Sequence, residues 1–166
     1  MNQVADLVAE SEYLKTIGTS RDEFDHGTLI RRSVTGTLHG SWTSAIVFFL
    51  MQKGLFPKGE VHVNVAEGKY RIPDVLVLRL DHPQEEIVIT PPEAVFEVLS
   101  PGDLWDEVEE KFKDYENMGI PVKLLVNPKT KVWKAYHGGD FRVQGTPVRV
   151  GVVELNLHEI EQYVKY

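Results

Sequence analysis

The sequence predicts an α/β (α+β) domain in which a mixed β-sheet is flanked by helices, and three observations carry that prediction. Residues 94–99 (AVFEVL) form a short, almost wholly apolar run, as a strand buried on both faces requires. A helical stretch over 104–118 and a second apolar run at Val122–Val126 follow, completing a strand-helix-strand unit. Ahead of that unit, alternating valines and the turn Glu67-Gly68-Lys69 mark a hairpin.

Taken in order, residues 3–17 (QVADLVAESEYLKTI) read as a helix ended by Gly-Thr-Ser-Arg, and Leu29–Val34 as a short strand closed at Gly36. Over Ser41–Lys53, apolar residues recur at Trp42, Ala45, Ile46, Phe49 and Leu50, the spacing of a helix with one buried face, and Gly54 ends it. Val61, Val63 and Val65 alternate with polar neighbours, and the run RIPDVLVLRL returns beside them. After Ser100-Pro101-Gly102, Asp103 is a suitable N-cap for the 104–118 helix, and Gly119 terminates it. Asn127-Pro128-Lys129-Thr130 turns the chain so that Val132–Tyr136 runs back along Val122–Val126. A polar hairpin and a helix near 156–163 complete a single domain over 1–166, with its core in 23–137 and an appended hairpin and helix in 138–166.

Composition narrows the chemistry. With 166 residues, 42% hydrophobic and 26% charged, the chain has the make-up of a globular protein and not of a disordered or fibrous one. The absence of cysteine excludes disulfides, a thiolate nucleophile and sulfur-based zinc sites, and makes a reducing cytoplasm the expected location. The longest apolar run, Ala45–Met51, is far shorter than the ~20 residues that span a bilayer, so no membrane association is expected. A net charge of −7 stands against nucleic-acid binding, yet it is unevenly spread. Residues 81–118 hold twelve acids against two lysines, whereas 121–150 hold six basic residues against one acid. Residues 26–80 are also basic, with seven positive groups against three acids.

Three charged residues occupy positions where the pattern asks for apolar ones. Alternation places Asp74 on the face of Ile72, Leu76 and Leu78, and Glu97 on the face of Val95 and Leu99. On the 104–118 helix, Lys111 falls inside the stripe of Leu104, Val108, Tyr115 and Met118. A buried carboxylate needs a partner, and so does a buried ammonium, so the three are expected to meet at one end of the sheet. Such a cluster has two uses. It can be a structural ion pair, or it can hold a hard divalent cation beside an ammonium that orients a water, as hydrolysis of a phosphate ester requires.

These residues also carry a family resemblance. Pro73-Asp74, Glu97-Val98-Leu99-Ser100-Pro101, Glu110-Lys111 with Tyr115, Gly119-Ile120 and Leu125-Val126-Asn127-Pro128 resemble, in order and spacing, the Uma-two restriction endonuclease family over about residues 23–137. That family belongs to the PD-(D/E)-x-K nuclease superfamily, so the resemblance implies a restriction-endonuclease-like fold and a divalent-metal-dependent endonuclease acting on DNA. By the same resemblance Asp74 and Glu97, with the Val98 carbonyl, are ligands of Mg²⁺ or Mn²⁺. The superfamily lysine, usually two residues after the second acid, is replaced by Leu99, and Lys111 takes its place from the following helix. The upstream acid matches Glu23, as a further ligand or base, with Asp25 as a rival. Two departures leave the ligands intact: Lys123-Leu124-Leu125 replaces an acid-aromatic-aromatic segment, and Asn127-Pro128 replaces Asp-Pro. Small nucleases of this kind often act as homodimers.

Other signals are weaker. His39, at the start of the second helix, is either a capping or half-buried histidine or a phosphate contact. The remaining histidines show no His-x-x-x-His spacing, and nucleophile-elbow, Walker and dinucleotide motifs are absent. Trp105, Trp133 and Tyr136 are core aromatics or base-stacking groups. The competing functions are a non-catalytic domain of the same fold that binds nucleic acid or a protein partner, and a hydrolase of another phosphate ester.

Overall fold

The computed structural model describes residues 6–32 and 35–165. In chain order the elements are β1 (Asp6–Leu7), α1 (Glu10–Leu14), β2 (Glu23–Asp25), β3 (Thr28–Ile30), α2 (Thr37–Gln52), β4 (Phe56–Gly59), β5 (Val63–Ala66), β6 (Lys69–Arg71) and β7 (Val75–Leu78). They continue with β8 (Ala94–Val98), α3 (Trp105–Met118), β9 (Val122–Asn127), β10 (Val132–His137), β11 (Asp140–Val143), β12 (Val148–Val150), β13 (Val153–Leu155) and a 3₁₀ helix at Leu157–Tyr163.

A six-stranded sheet with the order β11-β10-β9-β8-β7-β4 forms the centre. It is mixed: β8 and β9 are parallel, joined through α3, and the remaining neighbours are antiparallel. A second sheet, β1-β3-β2-β6-β5, and the β12-β13 hairpin lie beside it. This is the mixed α+β arrangement that the apolar runs predict.

Burial explains why β8 has no polar face. Ala94, Phe96 and Val98 join Val75, Val77, Leu124 and Val126 under the apolar side of α2, where all five residues marked by the helical spacing are buried. On the opposite face Val95, Leu76 and Leu125 pack beneath Phe112, Tyr115 and Ile120 from α3 and its C-terminal turn, together with Val63 and Val65 of β5. Glu97 shares the side of Val95, so its carboxylate points toward α3. A smaller cluster of Tyr13, Phe24 and Tyr70 fills the second sheet.

Several elements differ from the sequence expectation. The helix expected over 3–17 is confined to Glu10–Leu14, because Asp6 and Leu7 pair with Leu29 and Thr28 and Ala9 stays extended; residues 3–5 lie outside the described residues. The strand expected over 29–34 is Thr28–Ile30, and Val34 lies outside the description. The run RIPDVLVLRL is not one strand. Arg71 closes β6 in the second sheet and Val75 opens β7 in the central one, with Pro73, which has no N–H to give a ladder, between them. On α3 the N-cap is Leu104, which is 62% exposed and outside the buried stripe. Asp103 instead accepts the Ser100 N–H within the preceding turn. The final helix is 3₁₀ in form. Among the described residues, no helix is long and apolar enough to cross a membrane.

Candidate active site

The strand switch at Ile72-Pro73-Asp74 places Asp74 at the junction of the two sheets. The β7–β8 register runs Val77 to Ala94, Leu76 to Val95 and Val75 to Phe96; Asp74 is the residue just before β7, and Glu97 the one just after Phe96. Glu97 meets Lys111 and Tyr115 from α3, whereas Asp74 meets His39 from α2, so the two acids lie at the strand end between the two helices. Asp74 continues the ladder with its side chain: Oδ2 accepts the Val98 N–H at 2.8 Å. N–H and C=O of one strand residue point the same way, which directs the Val98 carbonyl toward Asp74 as well. Asp74 is 2% exposed and Glu97 6%.

Lys111 reaches this junction from α3. Its ammonium lies 2.9 Å from Glu97 Oε1 and 3.0 Å from Glu23 Oε1, and donates to the Ile72 carbonyl at 3.0 Å. Three acceptors match the three N–H donors of a lysine, which is how a charge on an apolar stripe is satisfied. Glu23, on β2, also accepts the Ile72 N–H at 2.9 Å through Oε1. Asp25 belongs elsewhere: it meets His26, Lys69 and Arg71. Of the two upstream acids, Glu23 is therefore the one in contact with Lys111.

Further side chains complete the cluster. Arg32 Nη2 donates to Asp74 Oδ1 at 2.9 Å. His39 Nε2 lies 3.1 Å from Asp74 Oδ2 and must carry the proton of that contact, because a carboxylate only accepts; the ring is thus buried against Asp74. Tyr115 donates its hydroxyl to Glu97 Oε1 at 2.6 Å. Arg71, itself buried, holds Glu23 Oε2 at 3.5 Å and Asp114 at 2.7 Å, tying the cluster back to α3. Of these, Arg32 and Arg71 carry no marked sequence signal, whereas Tyr115 does carry one, since a buried tyrosine on an apolar stripe needs a hydroxyl partner.

The electrostatics separate the three acids. Burial alone would raise Asp74, but the His39 hydrogen bond and the Lys111 and Arg32 charges outweigh it and hold Asp74 far below the usual carboxylate range. Glu23 is likewise lowered, against burial, by Lys111, Arg32 and Arg71. Glu97 goes the other way: burial, with the Asp74 charge added, pushes it up to about 7 despite Lys111. Lys111 is raised against burial by Glu23 and Glu97, so it stays an ammonium.

Glu97 therefore stands half-protonated near neutrality beside a fully ionised Asp74. Two carboxylates and a backbone carbonyl are hard oxygen donors, the kind that Mg²⁺ and Mn²⁺ take. Among the described residues, no group of three or more His, Asp or Glu side chains is arranged to hold a metal ion. Two carboxylates suffice for Mg²⁺, which keeps several waters and takes remaining ligands from a substrate phosphate, and the donor set fits that ion.

A model of the family described as "Uma2: Putative restriction endonuclease" matches residues 11–162. No curated protein matches the chain. Among solved structures, one described as a "putative nuclease belonging to DUF820", from Anabaena variabilis, superposes with a TM-score of 0.76 over 95% of this chain and 99% of its own. At 18% identity, that likeness shows a shared fold.

Proposed function

This chain belongs to the Uma2 family, described as "Putative restriction endonuclease", and from that premise we propose that it is a divalent-metal-dependent endonuclease hydrolysing phosphodiester bonds in DNA. One observation carries the reading: a buried lysine from α3 meets Glu97 and Glu23 at the strand end where Asp74 accepts the Val98 N–H. Asp74, Glu97 and the Val98 carbonyl would hold Mg²⁺ or Mn²⁺. Such an ion supplies Lewis-acid polarisation of the phosphodiester and makes a nearby water more acidic.

The chain's own groups have separate tasks. Arg32, His39 and the Val98 N–H fix the Asp74 carboxylate. Glu23 and the Ile72 carbonyl hold Lys111 in place. Because Lys111 stays protonated, it orients the attacking water and stabilises developing negative charge, and one of its three present contacts yields as it does so. Glu23, ionised at neutral pH, is the group placed to take a proton from a water bound at Lys111. The water oxygen bonds to phosphorus as the bond to the leaving sugar oxygen breaks, and that oxygen leaves as a hydroxyl after gaining a proton from solvent.

The chain is read as one domain, acting in the cytoplasm as a homodimer so that both strands are reached. The edges of the central sheet are β4 and β11; Pro57 and Lys58 blunt the first, which leaves β11 for two-fold pairing. A second reading, a non-catalytic domain binding nucleic acid or a protein, draws on the complete pairing of Asp74, which has a protein partner on each oxygen. Plasmid nicking with Mg²⁺ or Mn²⁺ separates the two. The nuclease reading expects wild type to nick, and Asp74→Ala and Lys111→Ala to lose about 10²–10⁴-fold. Unchanged nicking by both folded variants, or none by wild type, favours the non-catalytic reading.

A further inference from the structure

Arg32 differs from the other cations of the cluster. Lys111 spends its three donors on Ile72, Glu97 and Glu23, and Arg71 is divided among Asp114, Asp25 and Glu23. Arg32 uses Nη2 on Asp74, while its Nη1 is buried and has no hydrogen-bond partner. A buried donor left unmade is costly, so a guanidinium N–H inside a charged site calls for an acceptor. Among the described residues nothing accepts from it. The Arg32 side chain is 20% exposed, more than Lys111 at 14% or Asp74 at 3%, so the guanidinium lies on the solvent side of the cluster although Nη1 itself is covered.

Charge identifies the acceptor. Asp74, Glu97 and Glu23 face Lys111 and Arg32, an excess of one negative charge when all three acids are ionised. A divalent cation turns that into an excess of one positive charge, which a phosphodiester monoanion cancels. Removing Arg32 would leave the loaded site without attraction for the substrate. The planar fork of arginine also suits two neighbouring acceptors, here a carboxylate oxygen and a phosphate oxygen.

We propose that Arg32 is the substrate-binding residue of the site, holding a non-bridging oxygen of the scissile phosphate through Nη1 while Nη2 stays on Asp74. This rests on the nuclease reading above, extending it from the metal ligands to the group that seats the phosphodiester. A conservative Arg32→Lys keeps the charge and loses the fork; Arg32→Gln keeps a donor for Asp74 and loses the charge.

The test has two arms, both on the full-length protein, with variants first checked for an unchanged melting profile. In the first, a fluorescent 12-base-pair duplex is titrated at several salt concentrations with Ca²⁺ in place of Mg²⁺, and the duplex is checked to be intact afterwards. Arg32→Gln is expected to weaken binding about tenfold and to flatten the logarithmic salt dependence by roughly one phosphate contact, with Arg32→Lys intermediate. In the second arm, steady-state cleavage with Mg²⁺ is expected to show a KM rise of about tenfold in Arg32→Gln. A purely structural Arg32 would move neither the salt slope nor KM in a protein that melts normally. If wild type cleaves and both variants match its slope and KM, the Arg32 assignment is overturned and the nuclease reading stands. If wild type never cleaves but the slope still depends on Arg32, the nuclease reading fails and the phosphate contact survives.

Discussion

Glu97 is the residue on which the site turns. Its carboxyl moves from an ordinary 4.5 up to about 7, chiefly through burial, whereas Asp74 and Glu23 move down. For Glu97 the folded state prefers the proton, so its contribution to stability is complete below about 4.5 and is lost as pH rises through 7. For Asp74 and Glu23 the contribution is complete above the ordinary carboxylate range and is lost as pH falls into acid. The metal-free protein should be most stable at about pH 4.5–5, should lose up to about 3 kcal/mol as pH rises from there through 7, and should lose no more from this group above that. Denaturant titrations in EDTA across pH 4–9 check this: Glu97→Gln should remove the loss between about pH 5 and 7. An identical pH profile in that variant would show that another group is responsible.

At this scale much of the site is legible in the sequence, and the reason is consistent. Asp74, Glu97 and Lys111 are charges on faces otherwise apolar, and such anomalies survive without knowledge of the fold. Glu23 and Asp25 could not be separated in that way, because residues two apart on a strand share a face. Their difference lies along β2: Asp25 pairs with Lys69, while Glu23 sits one step past the Phe24–Tyr70 pair, beside Arg71 and the Ile72 amide. His39 is held on Asp74 by a contact spanning 35 residues, which no local pattern encodes.

Among the elements, α3 does most to position the site, carrying Lys111 on one turn and Asp114 and Tyr115 on the next. Phe112 and Tyr115 dock it on the central sheet, and Gly119 ends it in the left-handed region at φ 89°. An alanine Cβ at Gly119 would meet no atom within 4 Å, so the cost of Gly119→Ala is conformational, about 1 kcal/mol of destabilisation. Gly40, inside α2, also has open space around its Cβ position, and without a positive φ. There the substitution should stabilise by about 0.5–1 kcal/mol. Urea melts of the two variants check this; a shift of the same sign in both would contradict the helix assignment. Of the elements with a strong period, β8 is found where the pattern places it, and α2 keeps the predicted buried face but starts at Thr37, four residues before Ser41. The division of RIPDVLVLRL between two sheets was harder to see, because both halves are strands and Pro73 is the sole local sign of the switch.

For the whole molecule, the charge of −7 no longer stands against a phosphate substrate. Three acids converge on Lys111 and Arg32, where a divalent cation reverses the local sign. The proposed dimer predicts a mass of about twice 18.9 kDa by light scattering at micromolar concentration, and a charged substitution on β11, Phe141→Asp, tests that edge, although its ring also packs on Phe112. A single 18.9 kDa species would remove the dimer and leave the site as described.

The central claim is that the carboxylates of Glu97, on β8, and Asp74, just ahead of β7, hold the catalytic cation, and anomalous diffraction from a crystal soaked in Mn²⁺ tests it most directly. The expected result is one peak about 2.1 Å from oxygens of both Asp74 and Glu97, with the Lys111 ammonium beside it, and its loss in Asp74→Asn. A fully wetted crystal with no peak there, while Arg32 and His39 keep their contacts with Asp74, would contradict the claim and leave the cluster as a buried ion network.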